Sequence, residues 1–248
     1  MQTKNHKLPT PISKGDTIRI KSFIEFMESL APPELALPGD RIGYHGPEIE
    51  VESVLVLMDY LEDVPVDGYD LLVLHHPPQV EPPLPYYVAH SNWDVADGGA
   101  CDALAETLGL DVESFLDPET GLGRICRGDL TLEELMERTC DLRPGTLRVV
   151  NPREYLERVA VVSGFGLSDS GLIKRAFSEG ANVYLSGDLT HNSAVLARNL
   201  NMTLIDAGHH ATEMPGLLRL RDMIEDLGLV VDIIDTGTPW IEYRYETF

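Results

Sequence analysis

The chain is short of cysteine and of positive charge, and each shortage removes a class of protein. Its three cysteines, Cys101, Cys126 and Cys140, make neither an even set nor a C-x-x-C pair. That excludes a disulfide framework and a thiolate zinc site, and it leaves buried or half-buried thiols as the expectation. Lysine and arginine number 19 against 41 acidic residues, a formal net charge of -22. A field of that sign repels nucleic acid and anionic lipid alike, so neither is an expected partner. No apolar run approaches the ~20 residues of a spanning helix, and residues 1–14 lack the apolar stretch of a secretory signal. The expectation is a globular, cytoplasmic protein, with 43% hydrophobic residues to build its core.

The most informative stretch is G-Y-D-L-L-V-L-H-H-P, Gly68 to Pro77. Leu71 to Leu74 form a continuous apolar run of the kind found in a strand buried on both faces. Adjacent strand residues point to opposite faces, so His75 and His76 can serve one site only if the strand has ended. Pro77, which has no N–H for a sheet ladder, supports that ending.

A polar lead-in occupies residues 1–16, followed by an amphipathic helix over Ile20 to Leu30 that stops at Pro32 and Pro33. Strands are expected at Val54 to Met58 and Tyr86 to Ala89, the latter reached through a proline-rich, non-helical connection over Pro77 to Pro85. A helix follows at about Ala100 to Leu108, and G-L-G-R at Gly121 to Arg124 reads as a joint. Beyond it the pattern gives a helix over Leu132 to Thr139 with a Thr131/Glu134 capping box, then a strand over Val159 to Val162. The turn Gly164 to Gly171 reads first as tight packing, with a phosphate cradle as the alternative. Helices at Leu172 to Ser178 and Ser193 to Asn199, and strands at Met202 to Ile205 and Leu229 to Ile234, complete the series. Pro215 is expected in a first helical turn, which starts the last helix near Thr212 or Glu213 and leaves His209 and Glu213 unpaired along it.

Glu179 to Asp188 echoes Asp67 to His76, so the fold class is α/β with two lobes of related topology. The first lobe is expected over 17–123, completed by about 203–248, and the second over 124–202. Three strands end in the same chemistry: His75 and His76, His90 with Asp94, and His209 or His210 with Glu213. Ligands bind outside the carboxyl ends of strands in open α/β sheets, so these groups can share one crevice. Imidazoles and carboxylates without thiols suit Fe, Mn, Zn, Co or Ni. A set of about five is too many for one open catalytic zinc and fits two divalent ions.

At these residues the chain resembles the NIF3 family, also called the GTP cyclohydrolase 1 type 2 family. The matching pieces are L-A-P-P-E-L-A (Leu30 to Ala36), L-H-H-P (Leu74 to Pro77), A-H-S-N-W-D (Ala89 to Asp94), G-L-G-R-I (Gly121 to Ile125), V-Y-L-S-G-D (Val183 to Asp188) and D-A-G-H-H-A-T-E (Asp206 to Glu213). The resemblance implies a NIF3-like α/β fold with a metal site in the cleft between two lobes, assembled as a toroidal homohexamer. It assigns the metal ligands to His75, His76, Asp94, His209 and Glu213. It places His90 beside the ions, in an orienting or proton-transfer role, and His210 as a neighbour. Members often carry histidine where this chain has Asn192, with His191 one position earlier.

Two functions follow as expectations. One is a dinuclear metal-dependent hydrolase in which ions activate water against a small molecule, a purine ring if the family label holds. The other is an iron-trafficking protein that delivers metal to a cofactor precursor. Similarity to methanogen members, linked to the iron guanylylpyridinol cofactor of [Fe]-hydrogenase, supports the second and favours iron.

Overall fold

Two sheets, each built on three consecutive parallel strands, carry the residues that the sequence singles out. The structure, a computed structural model, describes residues 17–241; the lead-in over 1–16 lies outside them. In chain order the strands are β1 Ile18–Arg19, β2 Gly43–His45, β3 Glu50–Val51, β4 Ser53–Leu57, β5 Leu71–Leu74, β6 Tyr86–Val88, β7 Asp111–Phe115, β8 Arg124–Thr131, β9 Arg148–Val150, β10 Tyr155–Val161, β11 Val183–Ser186, β12 Thr203–Asp206 and β13 Val230–Ile233. The α-helices are α1 Ile20–Leu30, α2 Ser91–Val95, α3 Ala100–Thr107, α4 Leu132–Asp141, α5 Ser170–Ser178, α6 His191–Leu200 and α7 His209–Glu225.

The first sheet has the order β13-β4-β5-β6-β2, parallel except for β2. The second has the order β7-β8-β10-β11-β12-β9, with β10, β11 and β12 parallel. In both, the parallel trio is closed by an antiparallel strand from earlier in the chain, β2 on β6 and β9 on β12. The middle strands of the trios, β5 and β11, carry the two echoing sequences. That shared plan is the related topology expected from the echo.

β4 and β5 are buried at every position. Their side chains alternate: Val54, Val56, Leu71 and Val73 pack toward α1 and α7, while Leu55, Leu57, Leu72 and Leu74 meet Val64, Tyr69 and Tyr86 on the other face. The proline-rich crossover delivers β6 beside β5 without a helix, as its composition requires. Helix α4 begins with the expected capping box, Thr131 Oγ1 accepting from Glu134 N while the Glu134 carboxylate accepts from Thr131 N.

Several expectations change. β7 is exposed along its whole length, so it offered no apolar period to read. It pairs with β8, and the second sheet therefore begins near residue 111. β12, read as part of the first lobe's completion, hydrogen-bonds into the second sheet. The G-L-G-R joint is not a loose linker. Arg124 is buried, grips Asp102 on α3 at 2.7 Å through both Nε and Nη2, and donates to the carbonyls of Val95 and Ala96. It thereby fixes the end of α2, the short helix that carries Asp94.

The thiols divide differently from the expectation too. Cys101 and Cys126 are buried, but Cys140 on α4 is exposed. Burial pushes the first two up to about 12. At pH 8 iodoacetamide is therefore expected to modify Cys140 alone in the native protein, and all three after unfolding in guanidinium. Mass spectrometry of the labelled chain checks this, and native labelling of Cys101 would contradict the packing described.

Candidate metal centre

Every side chain of the site projects from just beyond the carboxyl end of a parallel strand or from the helix that follows. Asp59 follows β4, His75 and His76 follow β5, His90 follows β6, Asp188 follows β11, and His209 opens the helix after β12. The carboxyl edges of the two sheets thus face one another across these residues, the arrangement in which open α/β sheets place ligands. β5 does end at Leu74, which lets both neighbouring imidazoles enter the site with ring centroids 4.9 Å apart.

At the centre lies Glu213, buried, with one carboxylate oxygen 3.4 Å from His75 Nε2 and 2.9 Å from His209 Nε2, and the other 3.2 Å from His76 Nε2. Asp94 Oδ1 stands 3.7 Å from His75 Nε2. The Nε2 atoms of His76 and His209 are 3.3 Å apart. Thus the five residues assigned as ligands by resemblance, His75, His76, Asp94, His209 and Glu213, come together from remote parts of the chain. His90 closes the group, its ring centroid 5.3 Å from His75 and 5.4 Å from His76. Ligating atoms of His75, His76 and His90 lie within 4.8 Å of one another, as do those of His76, His209 and Glu213. His76 belongs to both sets.

Each imidazole is anchored at the far nitrogen. Nδ1 of His75 meets the Ala89 carbonyl at 2.8 Å, Nδ1 of His76 meets Asp59 at 2.8 Å, Nδ1 of His209 meets Asp188 at 2.7 Å, and Nδ1 of His90 meets Asp40 at 2.8 Å. Those acceptors put the proton on Nδ1 and turn an Nε2 lone pair toward the centre. Converging lone pairs and carboxylate oxygens repel unless a cation stands among them. The atoms left over say the same: His75 Nε2, Asp94 Oδ1 and Glu213 Oε2 are buried without a hydrogen-bond partner, a combination that is costly unless something else satisfies them. This donor set fits a transition-metal ion and not a magnesium or calcium site.

The electrostatics follow from the same contacts. Burial lowers the pKa of His76 and His209, but hydrogen bonds to Asp59 or Asp188 and to Glu213 outweigh it and raise each to about 10, so at neutral pH a proton takes the Nε2 position of each ring wherever no metal ion holds it. Burial raises Asp94 to about 7, with the Glu213 charge adding to the effect and His75 opposing it. Glu213 is held well below its ordinary value, because the surrounding imidazoles outweigh its burial. His90 is lowered, by burial first and by the neighbouring His75 next. A lowered pKa leaves it neutral near pH 7 and able to accept a proton.

One expectation is corrected here. Helix α7 starts at His209 and runs through Pro215, so His209 and Glu213 are an i,i+4 pair on one helical face. A mid-helix proline costs ~3 kcal/mol. Burial of Leu217, Leu220 and Ile224 beyond it, at ~1.5 to 3 kcal/mol each, exceeds that. Thr212 Oγ1 also donates to the carbonyls of Gly208 and His209, and Trp93 Nε1 to that of Gly216. The rule that places proline in a first turn counted only local terms.

Other residues fall outside the cluster or were missed. His210 turns away to Asp235 at 2.7 Å. His191 and Asn192 sit exposed in the first turn of α6. The anchoring acids Asp40, Asp59 and Asp188 carried no role in the sequence reading. Asp59 and Asp188 could have been found, since each follows an apolar strand as the histidines do; Asp40 lies in a coil with no such marker. The turn after β10 is packing, as first read. Gly164 N donates to Thr212 Oγ1, Gly166 N to Ser186 Oγ and Leu167 N to the Gly187 carbonyl, leaving no cradle for phosphate.

Two cavities open on the cluster. One of about 970 Å³ reaches Asp188 and His209; another of about 590 Å³ reaches Asp59, His76 and His90. Gly237 lines both.

Comparison with known proteins supplies the context for this geometry. The family model for Duf34/NIF3 (NGG1p interacting factor 3) matches residues 80–238. A protein of Methanothermobacter thermautotrophicus named GTP cyclohydrolase 1 type 2 homolog is 77% identical over 228 residues, 92% of this chain and 97% of that one. One of the same name from Methanocaldococcus jannaschii is 33% identical over 234 residues, 84% of this chain and 95% of the other. Among solved structures, reduced HcgD from Methanocaldococcus jannaschii superimposes with a TM-score of 0.78 at 32% identity, covering 89% of this chain and 99% of that chain.

Proposed function

Since the chain belongs to the Duf34/NIF3 family, we propose that its histidine and carboxylate cluster holds two divalent metal ions for hydrolysis of a small molecule, in the manner suggested by the name GTP cyclohydrolase 1 type 2 homolog. His75, Asp94 and Glu213 would hold one ion and His76, His209 and Glu213 the other, with the carboxylate of Glu213 between them. The observation that carries this reading is the set of buried, unpartnered atoms on His75, Asp94 and Glu213 that converge on one another. Bound ions would supply Lewis acidity and water activated near neutral pH.

The protein's own residues then have separable tasks. Asp59 and Asp188 hold the Nδ1 protons of His76 and His209 and so keep Nε2 of each ring facing inward. Asp40 does the same for His90, and its second oxygen is fixed by Ser91 N at 3.1 Å. His90, neutral and half-buried beside the smaller cavity, is the group placed to accept a proton from water or substrate. Iron is the proposed metal and a homohexamer the proposed assembly, both from the family resemblance. No helix among the described residues is long and apolar enough to cross a membrane.

A second reading is a carrier that delivers iron during assembly of the iron guanylylpyridinol cofactor; the fold similarity to HcgD supports it. Loading the protein with Fe(II), Mn(II) or Zn(II) and assaying GTP and related nucleotides separates the two. Turnover that disappears in His75→Ala identifies the hydrolase. Absence of turnover, with one iron passing readily to a chelator, identifies the carrier.

A further inference from the structure

The larger cavity beside His209 contains a cation that the metal site does not use. Arg143 stands at the end of α4, one residue past its C-cap, with φ +56°. That left-handed position normally falls to glycine, because a Cβ there costs ~1 to 2 kcal/mol. Here it carries an exposed arginine whose side chain lines the cavity. The backbone N–H of Arg143 donates to the Cys140 carbonyl at 2.9 Å, but among the described residues its guanidinium makes no close ion pair and acts on Asp235 of the same wall only from a longer distance, lowering that carboxyl's pKa. The other charged groups of the wall are already matched: Arg148 Nε to Asp206 at 2.6 Å, His210 to Asp235 at 2.7 Å, and His209 to Asp188 at 2.7 Å. In a chain of net charge -22, a guanidinium with no close carboxylate partner beside a cavity of about 970 Å³ is a specific feature and not background. The rim also presents Trp240, 57% exposed, an aromatic face on which a planar ring can stack.

We propose that this cavity binds a planar aromatic molecule bearing an anionic group, the anion on Arg143 and the ring against Trp240, with the far end directed at His209. The inference deepens the hydrolase reading by naming the substrate class, and it rests on that reading for the role of the site but not for binding. Guanidinium pairs with phosphonate, phosphate or carboxylate through two parallel N–H bonds, so the anion is defined by chemistry and not by identity.

The test uses the full chain stripped of metal by EDTA, so that no ion competes for the probe. Phenylphosphonate is titrated by calorimetry and by quenching of tryptophan emission; of the two tryptophans, Trp93 is buried and Trp240 exposed. Saturable binding is expected, weakened about ten- to hundredfold by Arg143→Gly through loss of a charge-assisted contact. Methylphosphonate, without the ring, and phenol, without the charge, should each bind more weakly than phenylphosphonate, and Trp240→Ala should abolish the preference for the ring. Arg143→Gly relieves the left-handed backbone and is expected to unfold in urea no earlier than the natural protein, so a loss of binding is not a loss of fold. Wild-type affinity in Arg143→Gly, or no saturation by the natural protein below ~10 mM, would overturn the proposal. Metal content of the reconstituted samples is read separately: binding without metal-dependent turnover leaves this subsite standing and removes the hydrolase.

Discussion

Glutamine at position 213 is expected to leave the fold intact and the metal centre empty. The Glu213 carboxylate is 3% exposed and lies within 3.4 Å of three imidazole Nε2 atoms, those of His75, His76 and His209. Glutamine matches its shape, and its amide N–H groups can satisfy lone pairs on those rings, so the helix has no reason to move. The missing negative charge is another matter. A central anion that two ions would share contributes more than an outer partner, whose loss already weakens metal affinity ~10- to 100-fold. Metal analysis after dialysis against a chelator should show Glu213→Gln stripped under conditions where the natural protein keeps its ions. Equal retention by both would remove Glu213 from the coordination sphere.

Gly164→Ala should be nearly as damaging without touching a ligand. The backbone there has φ +75°, and an added Cβ would lie 2.2 Å from Glu213 Oε1 and 3.2 Å from His209 Nε2. The left-handed conformation alone costs an alanine ~1 to 2 kcal/mol. The collision adds to this in a particular way: the end of the Glu213 side chain can swing aside, but only by abandoning the imidazoles that surround it. The expected outcome is a urea midpoint lowered in proportion to about 1 to 3 kcal/mol, together with metal retention as poor as in Glu213→Gln. A stability loss with normal metal content would mean that the turn yields elsewhere.

Much of the site could be read from the chain because its residues obey one positional rule, that chemistry collects where parallel strands stop. His75, His76, His90 and the D-A-G-H-H segment all announce themselves by following apolar runs. The paired sheets were legible for a similar reason, since β5 and β11 share a sequence pattern and a place in their trios. What stayed hidden depended on distance or on competition between energies. β7 is exposed throughout and signals nothing by period. Asp40 meets His90 across 50 residues of chain. The start of α7 was misplaced because the local cost of Pro215 is visible in the sequence, whereas the burial of Leu217, Leu220 and Ile224 that outweighs it appears only once the helix has a sheet to lie against.

That helix joins the two halves of the molecule more firmly than a linker could. It leaves β12 of the second sheet, presents His209 and Glu213 within its first two turns, and then packs Leu217, Leu220 and Ile224 into the core of the first sheet. Gly216 brings it so near α3 that a Cβ would come within 2.4 Å of Ala100. A clamshell opening of the halves would have to break this rod or drag it out of its bed. Among the described residues, two standing entrances that share Gly237 lead to the imidazoles without any such opening, and traffic through them is set by the side chains at their mouths.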